Sequence, residues 1–136
     1  MMGVFLNIQT ALDKTLAMMA GLPNVAWSNI RYVPVNGTSF LRPTLLPSQS
    51  SLETLTDHNR HPGIYSVSIF TPVEKGMNAG LVLADSVKTH FESNRRISQN
   101  GDTIFIKAIS LGIAEREEAW NHLIMTIQYE CYNDSA

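Results

Sequence analysis

Gly63-Ile-Tyr-Ser-Val-Ser-Ile-Phe-Thr71, closed by Pro72, is followed at once by Met77-Asn-Ala-Gly-Leu-Val-Leu-Ala-Asp-Ser-Val-Lys-Thr-His-Phe91, and this junction decides the fold class. In the first run Tyr65, Val67 and Ile69 alternate with Ser66, Ser68 and Phe70, the two-residue period of a strand with one face in a core. In the second, Leu81, Ala84, Val87 and Phe91 recur at three- and four-residue steps, the stripe of an amphipathic helix over about 77–91. Lys88 and Glu92 are spaced to pair on its solvent side. The glycines at 76 and 80 read as a tight approach into this helix.

Working outward, Phe5, Ile8, Leu12, Leu16 and Met19 form a second helical stripe, stopped by Gly21 and Pro23. Strands are expected at 25–28, 30–33 and 38–46, with a tight turn at Asn36-Gly37. Pro43 has no amide hydrogen to give to a ladder, so its strand should lie at an edge or carry a bulge, and an edge can recruit another chain. Residues 47–62 are polar, with Leu52 and Leu55 as the apolar exceptions, and read as a long loop of the kind that carries function. After the second helix come Arg96-Ile97, a turn at Asn100-Gly101-Asp102, and strands at 103–109 and 120–131. On the last of these Leu123, Met125, Ile127, Tyr129 and Cys131 share a face. The expectation is a single-domain α+β fold, a largely antiparallel mixed sheet with two helices on one face, and a short tail at 133–136.

The chain has 136 residues, a formal net charge of -2, 44% hydrophobic residues and 16% charged ones. One core fits that length, and the low charge leaves much uncharged surface for subunit contacts. No basic block exceeds Arg95-Arg96, which disfavours specific nucleic-acid binding. The lone cysteine, Cys131, reads as a core residue. The N-terminal segment lacks the basic start of a secretory signal, and no apolar run reaches membrane-spanning length, so a soluble cytoplasmic product is expected.

Catalytic chemistry finds little support. His58 and His61 are three apart without metal-site spacing, no serine stands in a nucleophile motif, and Gly76 to Gly80 lack a phosphate-loop lysine. Glu117 and Glu118 belong to a charged run whose plain reading is a solvated connection over 111–118. No enzyme, metal or cofactor is expected. The two expected loops supply the candidate interface residues Leu52, Leu55, Arg60, His61, Glu115, Arg116 and Glu117. Trp27 and Tyr65 read as core aromatics, with ring anchors as the other possibility.

One ordered set of small matches adds what spacing and composition do not. It runs Gly21-Leu-Pro-Asn-Val-Ala-Trp27, Asn29, Tyr32-Val-Pro34, Gly37-Thr38 and Phe40-Leu-Arg-Pro-Thr-Leu-Leu-Pro47. It continues with Arg60, Gly63-Ile-Tyr65, Val67, Phe70, Pro72, Gly76, Ala84-Asp85 and His90-Phe91. Over about 4–131 the chain resembles the tail terminator proteins of long-tailed bacteriophages with flexible, non-contractile tails. The resemblance implies a virion subunit, assembled in the host cytoplasm, that forms a six-membered ring on the head-proximal end of the tail tube. That ring would end tube growth and present a surface to head-completion or connector proteins, while DNA passes through its lumen unbound. It implies no catalytic site and no cofactor. The alternatives are another neck or head-completion subunit, or a small-molecule-binding α+β domain.

Overall fold

The structure is a computed structural model that describes residues 3–28, 30–35, 37–48, 51–53, 58–113 and 120–134. In chain order the elements are α1 (Val4–Ala17), β1 (Asn24–Val25), β2 (Phe40–Pro47), β3 (Ser51–Glu53), β4 (His58–Pro72), α2 (Gly76–Ser93), β5 (Arg96–Gln99), β6 (Asp102–Ile113) and β7 (Trp120–Asp134). A single-turn 3-10 helix, Val73–Lys75, leads into α2. The sheet runs β1-β2-β4-β7-β6-β5, with β3 also paired to β4. Every pairing is antiparallel except the short β1–β2 contact. The molecule is therefore the single-domain α+β fold that the two periodicities predict.

Both helices pack on one face of the curled sheet. Their stripes, Ile8, Leu12 and Leu16 from α1 and Ala84, Val87 and Phe91 from α2, meet Tyr65, Val67 and Ile69 of β4 and Leu123, Met125 and Ile127 of β7 in one buried cluster. Gly80 packs α2 onto this face, since an added Cβ there would lie 2.7 Å from Leu123 Cδ1. Asn7, buried on α1, donates to Asp102 at 2.7 Å and ties that helix to the β5–β6 turn. The turn has Asn100 and Gly101 both at positive φ, 49° and 88°, the geometry that an Asn-Gly hairpin turn requires. The Lys88–Glu92 pair forms at 3.1 Å.

The opposite face carries a smaller aromatic cluster at one corner. Phe40 stacks on Phe70 at 4.6 Å, Trp120 meets Phe40 edge-on at 5.1 Å, and Ala26 and Tyr32 close over them.

Three expectations need correction. Strands at 25–28 and 30–33 reduce to Asn24–Val25, because the ladder ends where Ala26 N–H donates to the Leu41 carbonyl at 2.7 Å. The next donor would be Pro43, which has none, and Ser28 Oγ donates to the Pro43 carbonyl instead at 3.3 Å. Second, the stretch 47–62 is not one loop: Ser51–Glu53 and His58–Pro62 are paired strand. Pro62 is tolerated there because its nitrogen faces the gap between the end of β2, opposite Gly63, and the start of β3, opposite Arg60. Third, of the connection expected over 111–118, Leu111–Ile113 belong to β6, and 114–119 lie outside the described residues.

Candidate interaction surfaces

The residues named from sequence fall in different places. Arg60 stands on the helix-free face at one end of β4 and donates to Glu130 Oε1 of β7 through Nη2 at 2.6 Å and Nε at 3.1 Å. Tyr132 donates to the other oxygen of Glu130 at 2.7 Å, and Lys107 lies 3.7 Å from it. Glu130 is thus the hub of a four-residue cluster, with its side chain only 15% exposed. The hydrogen bond from Arg60 chiefly holds its carboxyl below the usual range, helped by Tyr132 and Lys107. That stabilisation is present above the ordinary glutamate pKa and is lost as pH falls through the depressed one.

His61 points to the other face and is buried, 9% exposed, with its ring edge-on to Phe5. Leu52 sits on β3 opposite Asn59. Leu55, Glu115, Arg116 and Glu117 lie outside the described residues. Tyr65 is a core aromatic, and Trp27 is half-buried against the same core. Cys131 is buried on β7, and burial pushes its thiol up to about 12, so it is neither an exposed nucleophile nor a ready oxidation site.

Sequence reasoning missed Asp13. It sits on α1 beside Trp27 and Ile30 in a shallow groove of about 410 Å³, and Tyr65 donates its hydroxyl proton to Oδ1. Burial raises the Asp13 pKa, opposed more weakly by hydrogen bonds from Tyr65 and Gln9. A raised carboxyl pKa contributes stability in full below the unfolded value of about 3.9, and that contribution is lost as pH rises through the folded value. Asp13→Asn, which keeps an acceptor oxygen for Tyr65, should therefore gain on wild type as pH climbs from about 4 to about 7. Thermal melts across that range test it, and a difference that stays constant or shrinks with pH would refute the assignment. No periodic signal marks Asp13; its position one turn from the Leu12/Leu16 stripe is the only clue.

A second groove, of about 540 Å³, runs between the end of α1 and α2, lined by Met19, Val82, Asp85 and His90 among others. A His90 ring nitrogen contacts the Thr15 carbonyl and joins the two helices. Among the described residues no three His, Cys, Asp or Glu side chains converge as metal ligands would. No helix among them is long and apolar enough to cross a membrane.

Exposed apolar side chains lie at strand ends, on helix flanks and, as Ile30, Val33 and Val35, in the segment between β1 and β2. Leu111 and Ile113 of β6 are 43% and 70% exposed, and Leu46 of β2 is exposed at the other end of the sheet.

Comparison with known proteins agrees with that geometry. A model of the phage tail terminator protein family matches residues 7–129. The chain belongs to the phage tail terminator family. It is thereby a phage tail structural protein, and its place is the virion. The match spans both helices and all strands through most of β7, so the family's signature is the whole fold and not a local motif. A solved structure superposes with a TM-score of 0.70 over 94% of this chain and 92% of its own, at 22% identity, which establishes the shared fold. No curated protein sequence matches the chain.

Proposed function

We propose that this terminator forms a closed ring of six copies on the head-proximal end of a flexible, non-contractile tail tube, ends tube polymerisation, and offers its far side to head-completion or connector proteins. The observation that carries this reading is the family match over residues 7–129. The physical features favour it: a sheet whose ends expose Leu46, Leu111 and Ile113, and a surface of low charge. Heterologous contacts close into a cycle when each copy's patch meets a different patch on its neighbour. With a formal charge of -2 per copy, such a ring lets DNA pass its lumen without being held. Function is capping by binding, with no reaction and no cofactor.

Leu52, Leu55, Arg60, Glu115, Arg116 and Glu117 are carried forward as interface residues, with His61 supporting Arg60 from the opposite face. Arg60→Glu should weaken assembly while the monomer keeps its fold, because the partly exposed pair with Glu130 contributes little to the monomer, whereas the reversed charge changes the surface offered to a neighbour. The charge-swapped double variant Arg60→Glu/Glu130→Arg separates two roles. If the swap restores assembly, Arg60 acts only through Glu130; if assembly stays weak, Arg60 meets the neighbour directly.

The test of the function is native mass by light scattering with negative-stain imaging, together with the length of tubes polymerised in the presence of the chain. Rings of six and shortened, capped tubes are expected. Tubes whose length is indifferent to the chain would overturn the capping role.

A further inference from the structure

The two ends of the sheet are open in complementary ways. On β6, strand β5 covers only Asp102 to Phe105, and Ile106 N–H reaches the Arg95 carbonyl at 2.8 Å. Beyond the register shift between Ile106 and Ala108, no described strand pairs with the side of β6 that faces away from β7. Ladder alternation assigns the main-chain groups of Ala108, Ser110 and Gly112 to β7, so those of Ile109, Leu111 and Ile113 point outward. This edge has no proline and one charge, Lys107, so it lacks most of the guards that keep exposed strands from pairing.

At the other end, β1 covers β2 only at Phe40 and Leu41. The next outward positions are Pro43, Leu45 and Pro47. Pro43 has its carbonyl engaged by Ser28, and both prolines lack donors, so among the described residues Leu45 offers the one outward N–H of this edge beyond Leu41. An edge with one donor accepts a partner strand only with that donor matched.

Strand direction decides how two copies meet. Three successive antiparallel steps, β2 to β4 to β7 to β6, leave β6 running opposite to β2. Rotation about an axis along the strands preserves their directions, so β6 of one copy meets β2 of the next in the antiparallel sense. Leu45, Leu111 and Ile113 all lie on the helix-bearing face, which sets apolar side chains across the contact.

We propose that the Lys107–Ile113 edge of β6 pairs with the Thr44–Pro47 edge of β2 in a second copy, Leu45 lying opposite Leu111. In that register Leu45 and Leu111 exchange both hydrogen bonds, and Ile109 N–H reaches the Pro47 carbonyl. The occupant is a second copy because the same chain carries the complementary edge, and head-to-tail pairing fills both edges where a β6-to-β6 pair leaves β2 open. The seam rests on the ring reading for its closure, not for the pairing itself.

A full-length Leu45→Cys/Leu111→Cys double variant tests it, bridged by oxidation or a short bismaleimide. The two positions stand at opposite ends of one sheet and cannot join within a chain, and Cys131 is buried. A ladder of covalently linked copies is expected, absent from either single variant. Linked dimers from Leu111→Cys alone would replace the seam with a two-fold edge pair, and no linkage in the double variant overturns it. Leu111→Pro removes an N–H that β7 does not use, so native circular dichroism with a fall to monomer mass is the second expected result. Wild-type rings that persist in Leu111→Pro would overturn the seam and leave capping intact, whereas a wild-type chain that is monomeric even with tail tubes would overturn both. The cysteine experiment decides the matter should the proline variant not fold.

Discussion

Gly63→Val is expected to cost about 3 kcal/mol and to lower the melting temperature by about 10 °C. Gly63 is the register partner of Tyr129 across the central β4–β7 pair, and the tyrosine ring lies over it. A Cβ on residue 63 would stand 2.6 Å from Tyr129 Cζ and 2.9 Å from the Leu46 carbonyl oxygen. The ring cannot swing away, because Tyr129 is 1% exposed, and the carbonyl belongs to a paired strand. Valine's preference for strands offers up to about 1 kcal/mol in compensation, well short of the overlap. Gly112→Val is the internal control, since among the described residues nothing lies nearer to its added Cβ than the Ile124 carbonyl at 3.9 Å. Chemical denaturation measures both, and a Gly63→Val midpoint equal to that of Gly112→Val would sink the argument.

Phe40→Ala should be at least as severe, at about 4 kcal/mol, and should also act locally. Phe40 is the centre of the aromatic corner: Phe70 stacked below it, Trp120 against its edge, and Tyr32 tilted over it at 5.1 Å. The segment after Ala26 has no ladder to hold it, so this corner is its main attachment to the sheet. Loss of the ring should expose Arg31 and Tyr32 to trypsin and chymotrypsin before the rest of the chain unfolds. Phe91→Ala makes a cavity of the same kind in the main core and should destabilise without that early cleavage. Equal cleavage at 31 and 32 in both variants would mean the corner does not anchor the segment.

The parts of the fold legible in sequence were those where one face is buried over several residues. The odd-numbered faces of β4 and β7 and most of the α1 and α2 stripes appear in the core as their periodicities predict, but Phe5 and Leu81 are exposed, and Gly80 takes the place in α2 expected for Leu81. Gly76 takes positive φ where α2 begins, whereas α1 ends at Ala17 with Met18 as its cap, so Gly21, also at positive φ, lies beyond the helix end it was expected to mark. What sequence hid were strands whose residues have low strand preference but whose partners are long. His58–Pro62 contains Asn, Arg, His and Pro, and it is held because β7 continues opposite it as far as Asp134. Conversely, Ile30 to Val33 has strand-like composition but joins no described strand, and Pro43 interrupts the β2 edge along which the preceding segment pairs. The candidate site was less legible. Arg60 was found through its loop-like surroundings, while Glu130, which holds it, lies seventy residues away in sequence and carries no local sign of the pair. His61 was placed on the surface because its neighbours are polar, yet strand alternation turns it inward.

Lys107 is the residue that the β6–β7 ladder skips, and its place in the chain sets the phase of everything after it. Before it, Ile104 and Ile106, at even numbers, face the helices; after it, Ile109, Leu111 and Ile113, at odd numbers, do so. Were Lys107 paired in the ladder instead of skipped, Leu111 and Ile113 would turn to the helix-free face; deleting it leaves Ala108 opposite Gln128 and Ile109 opposite Ile127, an unbroken ladder with the faces unchanged. Position 107 is therefore the one place in this strand where a residue can be lost without a change of face. A one-residue change of length in the paired part of β6 exchanges the two faces of the strand beyond it, whereas removal of Lys107 only straightens the bulge.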